Sequence, residues 1–332
     1  MPLLLTTRRF LDRHADRLQA ACTEAGLALD PVAVPEGDGA RLEEAELARI
    51  EVAALMDPFE GNEGLARRFF GAVLRAPAVR WVHVPFAGVD HPVFVHLRER
   101  NIRLSTSSGA TAEPIAHTAI GGVLALARGF PHWWAAQQRR EWAPHRGARI
   151  PDDLRGQTMV VLGMGAIGGH VARLARALGL YVIGVRRNPP TADDHVDEMH
   201  PPARLAELLP RADWLVIACP LTAETRGLVD DAALARLRPT AHLVNVARGQ
   251  IVDEAALTAA LAAGRLAGAY LDVFEEEPLP AGSPLWSLPN VIVSPHNSAA
   301  STGNAARVVE IFLRNLAHWG RDEPLENEVR EP

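Results

Sequence analysis

In the stretch Met159-Val160-Val161-Leu162-Gly163-Met164-Gly165-Ala166-Ile167-Gly168, an apolar run is followed by three glycines, the last of which lies in the first turn of an amphipathic segment, Ile167–Leu178. The run predicts a buried strand and the segment a helix. In such a turn the first glycine permits a sharp bend, the second a close approach to a pyrophosphate, and the third tight packing of helix on strand. A purely structural glycine turn is the alternative. We expect a βαβ dinucleotide-binding unit whose turn binds through Gly163, Met164, Gly165, Ala166, Ile167 and Gly168.

The residues after the second strand of this unit indicate which dinucleotide binds. The apolar run Tyr181–Val185 is followed by Arg186, Arg187 and Asn188, and no carboxylate occurs before Asp193. A site selective for NAD has an acidic residue here, which accepts hydrogen bonds from the ribose hydroxyls. Two guanidinium groups instead suit a 2′-phosphate, although a solvated basic turn has the same composition. We therefore expect Arg186 and Arg187 to bind NADP(H), with NAD(H) as the less favoured cofactor.

Apolar runs alternate with amphipathic segments along the whole chain. Strands that alternate with helices predict parallel sheets covered by helices on both faces. Two smaller sheets are favoured over one large sheet, because strongly twisted sheets rarely grow so wide. The predicted strands are Leu3–Thr6, Glu51–Leu55, Trp81–Pro85, Ile102–Ser105, Met159–Leu162, Tyr181–Val185, Trp214–Ala218, His242–Val246, Ala269–Val273 and Val291–Val293.

Two long helical segments do not fit this alternation. Ala112–Arg128 is mostly apolar and precedes an irregular, tryptophan-rich stretch, and Ala300–Trp319 follows the last predicted strand. We interpret both as helices that cross between two domains. The fold class is therefore α/β, with two doubly wound parallel-sheet domains. Residues 1–104 and 300–332 form a discontinuous domain, and residues 105–299 form the inserted dinucleotide-binding domain.

The composition excludes several classes of protein. The 332 residues carry a net charge of −6, which disfavours nucleic-acid binding. All 34 basic residues are arginine, so a Schiff-base lysine and a P-loop are excluded. Cys22 and Cys219 form no Cys-x-x-Cys pair. No apolar run approaches the ~18 residues of a membrane span. We expect a cytoplasmic protein that binds neither nucleic acid nor membranes.

Polar residues follow three apolar runs in the second half of the chain. Arg248 follows one run, Glu277 lies shortly after the next, and His296 follows Val291–Val293. Because open α/β sheets bind ligands at the carboxyl ends of their strands, these side chains are placed to converge. Taken singly, each also has a plain interpretation as a loop cation, a turn acid or a helix cap. The histidines do not have the spacing of metal ligands, so we expect no metal.

Six segments, in this order, resemble the D-isomer-specific 2-hydroxyacid dehydrogenases, a family that includes glyoxylate/hydroxypyruvate reductases and phosphoglycerate dehydrogenases. They are VPFAGVD, LGMGAIG, CPLTAETRGLV, LVNVARGQIVDEAAL, LDVFEEEPLP and VIVSPHNSA. The resemblance implies a flavodoxin-like, discontinuous substrate domain, an inserted Rossmann domain and a site in the cleft between them.

The resemblance also implies roles for the residues at the strand ends. His296 matches the family's proton donor, Glu277 the carboxylate paired with it, and Arg248 the cation that holds the substrate carboxylate and keto oxygen. These roles suit the reduction of a 2-keto acid, because imidazole titrates near neutral pH and guanidinium is always charged.

Further residues match the family's cofactor and substrate contacts. Asp272 matches the contact to the nicotinamide carboxamide, and Cys219 and Pro220 match the stretch that runs beside the cofactor. We expect Cys219 to be a buried apolar side chain rather than a nucleophile. The loop Ala87-Gly88-Val89 resembles the segment whose N–H groups receive the substrate carboxylate. Ser298 stands where many members have glycine, and we expect it to contact the substrate.

The predicted activity is the NADPH-dependent reduction of glyoxylate, hydroxypyruvate or a bulkier 2-keto acid to the D-2-hydroxy acid. The alternative is a non-catalytic NADP(H) sensor of the same fold. The resemblance further implies a homodimer, for which Trp133, Trp134 and Trp142 provide a plausible contact surface. One of these tryptophans reaching a substrate pocket is a second interpretation of the same residues.

Overall fold

The computed structural model describes residues 1–37, 39–56, 63–89, 91–147 and 150–329. The chain divides into two compact units, Met1–Ala110 with Ser301–Pro332, and Thr111–Ala300. This division differs from the predicted boundaries at Ser105–Ala110, which belong to the first unit, and at Ala300, which belongs to the second. Ser105 lies in a strand that pairs with Trp81–Val84, which explains why it stays with the first unit.

The first unit is a five-stranded parallel sheet with helices on both faces. The strand order is β2-β1-β3-β4-β5, which is the flavodoxin-like order. Helices α1 and α11 cover one face through apolar residues such as Phe10 and Phe312. Helices α2, α3 and α4 cover the other through residues such as Leu47, Phe69 and Phe94. The elements are β1 Leu3–Thr6, α1 Arg8–Glu24, β2 Asp30–Ala33, α2 Glu44–Leu47, β3 Ile50–Ala54, α3 Glu63–Arg75, β4 Trp81–Val84, α4 Pro92–Glu99, β5 Arg103–Thr106 and α11 Asn304–Gly320.

The second unit is a seven-stranded parallel sheet with strand order β12-β11-β10-β9-β6-β7-β8. One face packs against α5 and α7, and the other against α8, α9 and α10. The elements are α5 Ala112–Ala127, α6 Phe130–Gln138, β6 Thr158–Leu162, α7 Ala166–Ala177, β7 Tyr181–Val185, β8 Glu198–His200, α8 Leu205–Leu208, β9 Trp214–Ile217, α9 Asp231–Leu234, β10 His242–Asn245, α10 Glu254–Ala262, β11 Gly268–Leu271 and β12 Val291–Val293. The predicted class of two doubly wound parallel sheets is confirmed.

Several local predictions were wrong. The tryptophan-rich stretch is not irregular at its start, because Gly129 at φ 70° and a proline in the first turn begin helix α6. The two long helices do not cross between domains: α5 packs on α7 and β11 in the second unit, and α11 packs on α1 in the first. Strands β2 and β8 were not predicted. Both lie at sheet edges, where the pattern of apolar residues is weakest.

The parallel arrangement of the second sheet decides where a site can form. Every neighbouring pair of its strands is parallel, so all of its carboxyl-terminal ends lie at one edge. The glycine turn follows β6, and the polar segments follow β7, β9, β10, β11 and β12 at that same edge. No helix in the part of the chain that the structure describes combines the length and apolarity of a membrane span.

Candidate active site

The glycine turn has the geometry that its sequence predicts. Gly163 has φ 99°, and a Cβ atom there would lie 2.5 Å from the amide nitrogen of Cys219, so the position requires glycine. Gly168 packs so closely on the carbonyl of Gly163 that a side chain would not fit. The turn therefore brings the end of β6, the start of α7 and the end of β9 into direct contact.

The same turn contains an open surface suited to a pyrophosphate. A Cβ added to Gly165 would meet nothing within 4 Å, although the glycines on either side are tightly packed. Helix α7 begins at Ala166, and its first N–H groups have no acceptor within the helix. Free N–H groups at a helix start, beside an uncovered glycine, are the donor set that a dinucleotide phosphate needs. The residues present therefore fit a dinucleotide at this turn.

The residues after β9 contribute mainly backbone. Cys219 is buried, and this burial raises the pKa of its thiol to about 11. A thiol so difficult to ionise is unsuited to nucleophilic attack. The carbonyl of Pro220 accepts a 2.7 Å hydrogen bond from the Thr225 hydroxyl, which helps to order the following loop.

The two arginines after β7 have different surroundings. Arg186 forms a bidentate ion pair with Asp194, with Nη1–Oδ1 and Nη2–Oδ2 distances of 2.7 and 2.6 Å, and it also donates to two backbone carbonyls. Its side chain is only 17% exposed. Arg187 is exposed and makes no hydrogen bond or ion pair with a described residue. The pKa of the Glu224 carboxyl is lowered chiefly by the hydrogen bond that it accepts from the Thr222 hydroxyl, and the charge of Arg187 acts in the same direction. Asp194 was not recognised from the sequence as the partner of Arg186.

His296 and Glu277 meet at the carboxyl edge of the second sheet. The Nδ1 atom of His296 lies 2.7 Å from Oε2 of Glu277, whose Oε1 accepts from the amide of Phe274. His296 has φ 49°, a conformation that few non-glycine residues adopt, and its amide donates to the carbonyl of Asp272. With Nδ1 directed at the carboxylate, Nε2 is the ring nitrogen left to face a ligand.

The buried carboxylate of Asp272 holds the segment that follows His296. Its oxygens accept from the amides of Asn297 and Ser298 at 2.9 to 3.2 Å, from the Ser294 hydroxyl at 2.6 Å, and from the Ser298 hydroxyl. Ser298 is itself buried, so its hydroxyl is committed to Asp272. The predicted contacts of Asp272 with a nicotinamide and of Ser298 with a substrate remain predictions.

Two more residues support the same segment and were not singled out from the sequence. The hydroxyl of Thr118, on α5, donates to the carbonyl of Ser298 at 3.1 Å. Tyr270, in β11, hydrogen-bonds Ser294 at 2.6 Å, and its ring packs where a side chain on Gly122 would otherwise lie. Neither residue has a sequence signal beyond its position in a predicted helix or strand.

Arg248 follows β10, the strand beside β11. It is partly buried, and Nη1 donates to the carbonyl of Ala247 at 2.8 Å, which leaves Nε and Nη2 without a described partner. Gly249 packs directly against the backbone of Phe274 and Glu275. This contact places Arg248 beside the loop that contains Glu277.

The remaining predicted residues lie in the first unit. Ala87 is the last residue of a bend that follows β4, Gly88 and Val89 continue it as irregular backbone, and Val89 packs on the core. At the end of β4, His83 is fully buried, with Nδ1 2.8 Å from the Ser105 hydroxyl and Nε2 2.9 Å from the Ser107 hydroxyl. Within residues 1–37, 39–56, 63–89, 91–147 and 150–329, no group of three histidine, cysteine or acidic side chains is arranged to hold a metal.

Comparison with known proteins identifies the family. Residues 120–298 match the model of the D-isomer specific 2-hydroxyacid dehydrogenase NAD-binding domain. A glyoxylate reductase of Korarchaeum cryptofilum is 34% identical over 261 residues, which are 77% of each chain. Because the matched domain covers more than half of this chain, the chain belongs to the D-isomer specific 2-hydroxyacid dehydrogenase family, as the six segments predicted. It is an NAD(P)-dependent oxidoreductase.

Two solved structures extend the similarity over the whole chain. A D-isomer specific 2-hydroxyacid dehydrogenase of Xanthobacter autotrophicus in complex with NADPH and MES has a TM-score of 0.75 and 30% identity, and the alignment covers 99% of this chain and 98% of that one. An NADPH-dependent glyoxylate/hydroxypyruvate reductase of Sinorhizobium meliloti in complex with NADP and malonate has a TM-score of 0.73 and 28% identity, covering 99% and 96%.

Proposed function

We propose that this protein uses NADPH to reduce a small 2-keto acid, such as glyoxylate or hydroxypyruvate, to the D-2-hydroxy acid. The observation that carries the proposal is the 2.7 Å contact between His296 and Glu277 at the edge where the glycine turn also lies. The glyoxylate reductase and glyoxylate/hydroxypyruvate reductase among the similar proteins support the substrate class.

His296 is the proposed proton donor. A bound reduced nicotinamide supplies the hydride in this class of reaction. Glu277 accepts from Nδ1, so it fixes the ring orientation and compensates the charge of the imidazolium. The second proton of the imidazolium is then on Nε2, from which it passes to the keto oxygen as negative charge develops there. The product is a neutral ring that still donates from Nδ1 to Glu277.

Arg248 is the proposed anchor of the substrate. A guanidinium is charged at every physiological pH and presents paired N–H donors to a carboxylate. Because Nη1 is held by the Ala247 carbonyl, the side chain is oriented before substrate arrives. Nε and Nη2 then remain for the substrate carboxylate and the keto oxygen.

The preference for NADP(H) rests on Arg187 more than on Arg186. The ion pair with Asp194 and the two carbonyl acceptors use most of the donors of Arg186, so this residue shapes the loop after β7. Arg187 keeps its donors for a 2′-phosphate. NAD(H) binds less tightly in this proposal, since Arg186, Arg187 and Asn188, the residues directly after β7, provide no carboxylate for its ribose. The NADPH-dependent reductase among the similar structures supports the preference.

We also propose a homodimer. Trp133, Trp134 and Trp142 form an aromatic surface, with exposed fractions of 40%, 47% and 97%. A pocket of about 450 Å³ lies between Trp133, Trp142 and Pro144. Exposed tryptophans on this scale are costly in water and typical of contact surfaces.

Initial rates test the proposed activity. NADPH and NADH oxidation are followed with glyoxylate, hydroxypyruvate and phenylpyruvate, for the native protein and for His296→Ala. We expect turnover of at least one acid, and a loss of kcat of about 10²- to 10⁴-fold in the variant with NADPH affinity retained. His96→Ala is the matched control, because His96 is an exposed histidine 3.1 Å from Glu99 in the first unit. Tight NADPH binding without turnover of any acid would instead indicate the sensor.

A further inference from the structure

A groove in the first unit contains four arginines and none of the residues assigned to the proposed reaction. It lies between the described residues 35–37 and 39–42, which follow β2, and one face of helix α3, and its volume is about 560 Å³. Its basic side chains are Arg41, Arg67, Arg68 and Arg75. A groove of this volume can hold a small metabolite.

The positive charge of the groove has little compensation from the described residues. Of the described carboxylates, only that of Glu44 lies within 4.0 Å of one of these guanidiniums, 3.7 Å from Arg75, and it is largely exposed. Arg41, Arg67 and Arg68 form no ion pair with a described residue. The Nε atom of Arg68 is buried and has no hydrogen-bond acceptor among the described residues. A buried donor without an acceptor destabilises the protein, and an anionic ligand that accepts from it would remove that cost.

The backbone keeps the groove open. Gly37 and Gly39 line it on the loop side, and Gly71 lines it on α3. A Cβ atom added at any of the three would meet nothing within 4 Å, so the space next to them is not filled by protein. Gly37 and Gly39 also have φ values of 95° and 80°, which side chains disfavour. Arginines and uncovered backbone on both walls form a cradle for an oligoanion.

We propose that this groove binds a small molecule that carries several phosphate charges. Guanidinium groups bind phosphate oxygens through paired, charge-assisted hydrogen bonds, and four of them match a ligand of two or more negative charges. A single carboxylate would leave most of the donors unpaired. The groove belongs entirely to the first unit, so the proposal does not depend on the proposed reaction.

Calorimetric titration with inorganic pyrophosphate tests the proposal. With the glycine turn of the second unit occupied by saturating NADPH, the native full chain should bind one further pyrophosphate with saturable heat, and this binding should weaken as salt is raised. Arg67→Gln/Arg68→Gln should weaken binding at least about tenfold, because a tenfold change needs only ~1.4 kcal/mol and two charged contacts are lost. If the double variant does not fold, Arg67→Gln alone should weaken it about threefold, since one exposed charged contact contributes ~0.6 kcal/mol or more.

Two control variants separate this groove from other anion sites. Arg13→Gln removes an exposed arginine from α1, and Arg187→Gln removes the proposed phosphate contact of the second unit. Both should bind pyrophosphate within about twofold of the native protein, as additivity predicts for independent sites. Absence of saturable binding, unchanged binding in Arg67→Gln/Arg68→Gln, or loss of binding in Arg187→Gln would each overturn the proposal.

Discussion

At the scale of single residues, the neighbouring arginines Arg186 and Arg187 differ in how many of their N–H groups already donate hydrogen bonds within the protein. Arg186 gives its donors to Asp194 and to the carbonyls of Asn188 and Pro189. Arg187, the next residue, gives none to a described residue. A phosphate that reaches this loop finds a free guanidinium only at Arg187.

Arg187→Gln should therefore weaken NADPH binding at least about tenfold and leave NADH binding unchanged, since a phosphate contact of ~1.5–3 kcal/mol is lost. Arg186→Gln should weaken both cofactors alike and lower the melting temperature, because Asp194 loses its partner. Fluorescence titrations with both nucleotides measure the affinities. An unchanged NADPH-to-NADH affinity ratio in Arg187→Gln would contradict this assignment.

How far the site can be predicted from the sequence follows from the same residues. Gly163, Arg186 and His296 can be predicted because each lies within three residues after an apolar run, and these runs end at one edge of the sheet. Asp194 cannot, because its pairing depends on how a polar loop closes. The contacts that Asp272 makes with the amides of Asn297 and Ser298 cannot be predicted either. They depend on an irregular loop that is brought to Asp272 by the pairing of β11 with β12, and an irregular loop has no repeating pattern in the sequence.

At the scale of elements, the β6–turn–α7 unit shows why its glycines are not equivalent. Gly163 and Gly168 are required by the protein's own packing, and Gly165 is not. The edge strand β8, Glu198–His200, illustrates the limit of prediction at this scale. Its three residues are all half-buried, so the sequence shows no alternation of apolar and polar side chains there. The segment becomes a strand because it pairs with β7, which the local sequence does not indicate.

Gly165→Ala should leave the melting temperature unchanged and weaken NADPH binding at least about tenfold, because the new methyl group occupies the space where a pyrophosphate approaches. Gly169→Ala is the matched control on α7, where an added Cβ also meets nothing within 4 Å. It should keep the affinity and add about 0.5–1 kcal/mol of stability. If Gly165→Ala bound NADPH as tightly as the native protein does, the pyrophosphate would not lie next to Gly165.

The pair β4 and β5 contains a titrating group that couples stability to pH. Full burial lowers the pKa of His83 to about 3, from an ordinary value of 6.5. Below pH 6.5 the unfolded chain therefore binds a proton that the folded chain does not, so stability falls with falling pH down to about pH 3.

We expect His83 to account for about 2 kcal/mol of lost stability between pH 7.0 and pH 5.0, at ~1.4 kcal/mol per pH unit below 6.5. Hydrogen exchange of the β4 and β5 amides at the two pH values measures the opening free energy. His83→Asn should be less stable at pH 7.0 and lose about 2 kcal/mol less on acidification. If both proteins lost the same stability between pH 7.0 and pH 5.0, titrating groups other than His83 would account for the pH dependence.

At the scale of the whole molecule, two parallel sheets have separate cores, and the features proposed for function are distributed between them. The second unit contains the glycine turn, the His296–Glu277 pair and the aromatic surface, and the first contains the arginine groove. The division into two sheets can be predicted from the rhythm of apolar runs. The course of the tryptophan-rich stretch cannot, because a short helix such as α6 is set by Gly129 and by packing on α5.

The native protein should sediment at twice its 35.9 kDa chain mass. Trp134→Glu should weaken the dimer at least about 100-fold, because ~3 kcal/mol of tryptophan burial is replaced by a charge. Trp286→Glu is the matched control, since Trp286 is 53% exposed but lies outside the aromatic surface. A monomeric native protein, or a Trp134→Glu variant that stays dimeric at micromolar concentration, would contradict the proposed interface.

The place of α11 in the first unit has a consequence for synthesis on the ribosome. Phe312 and Trp319 of this helix pack against Phe10 and Trp81, so residues from the two ends of the chain share one core. As the nascent polypeptide emerges, the first part of this unit therefore lacks one wall of its core until α11 has been translated. The second unit is continuous in sequence, from Thr111 to Ala300, so it is free to fold before the second part of the first unit has been synthesised. We therefore expect the second unit to complete its core before the first, although the first unit begins earlier in the sequence.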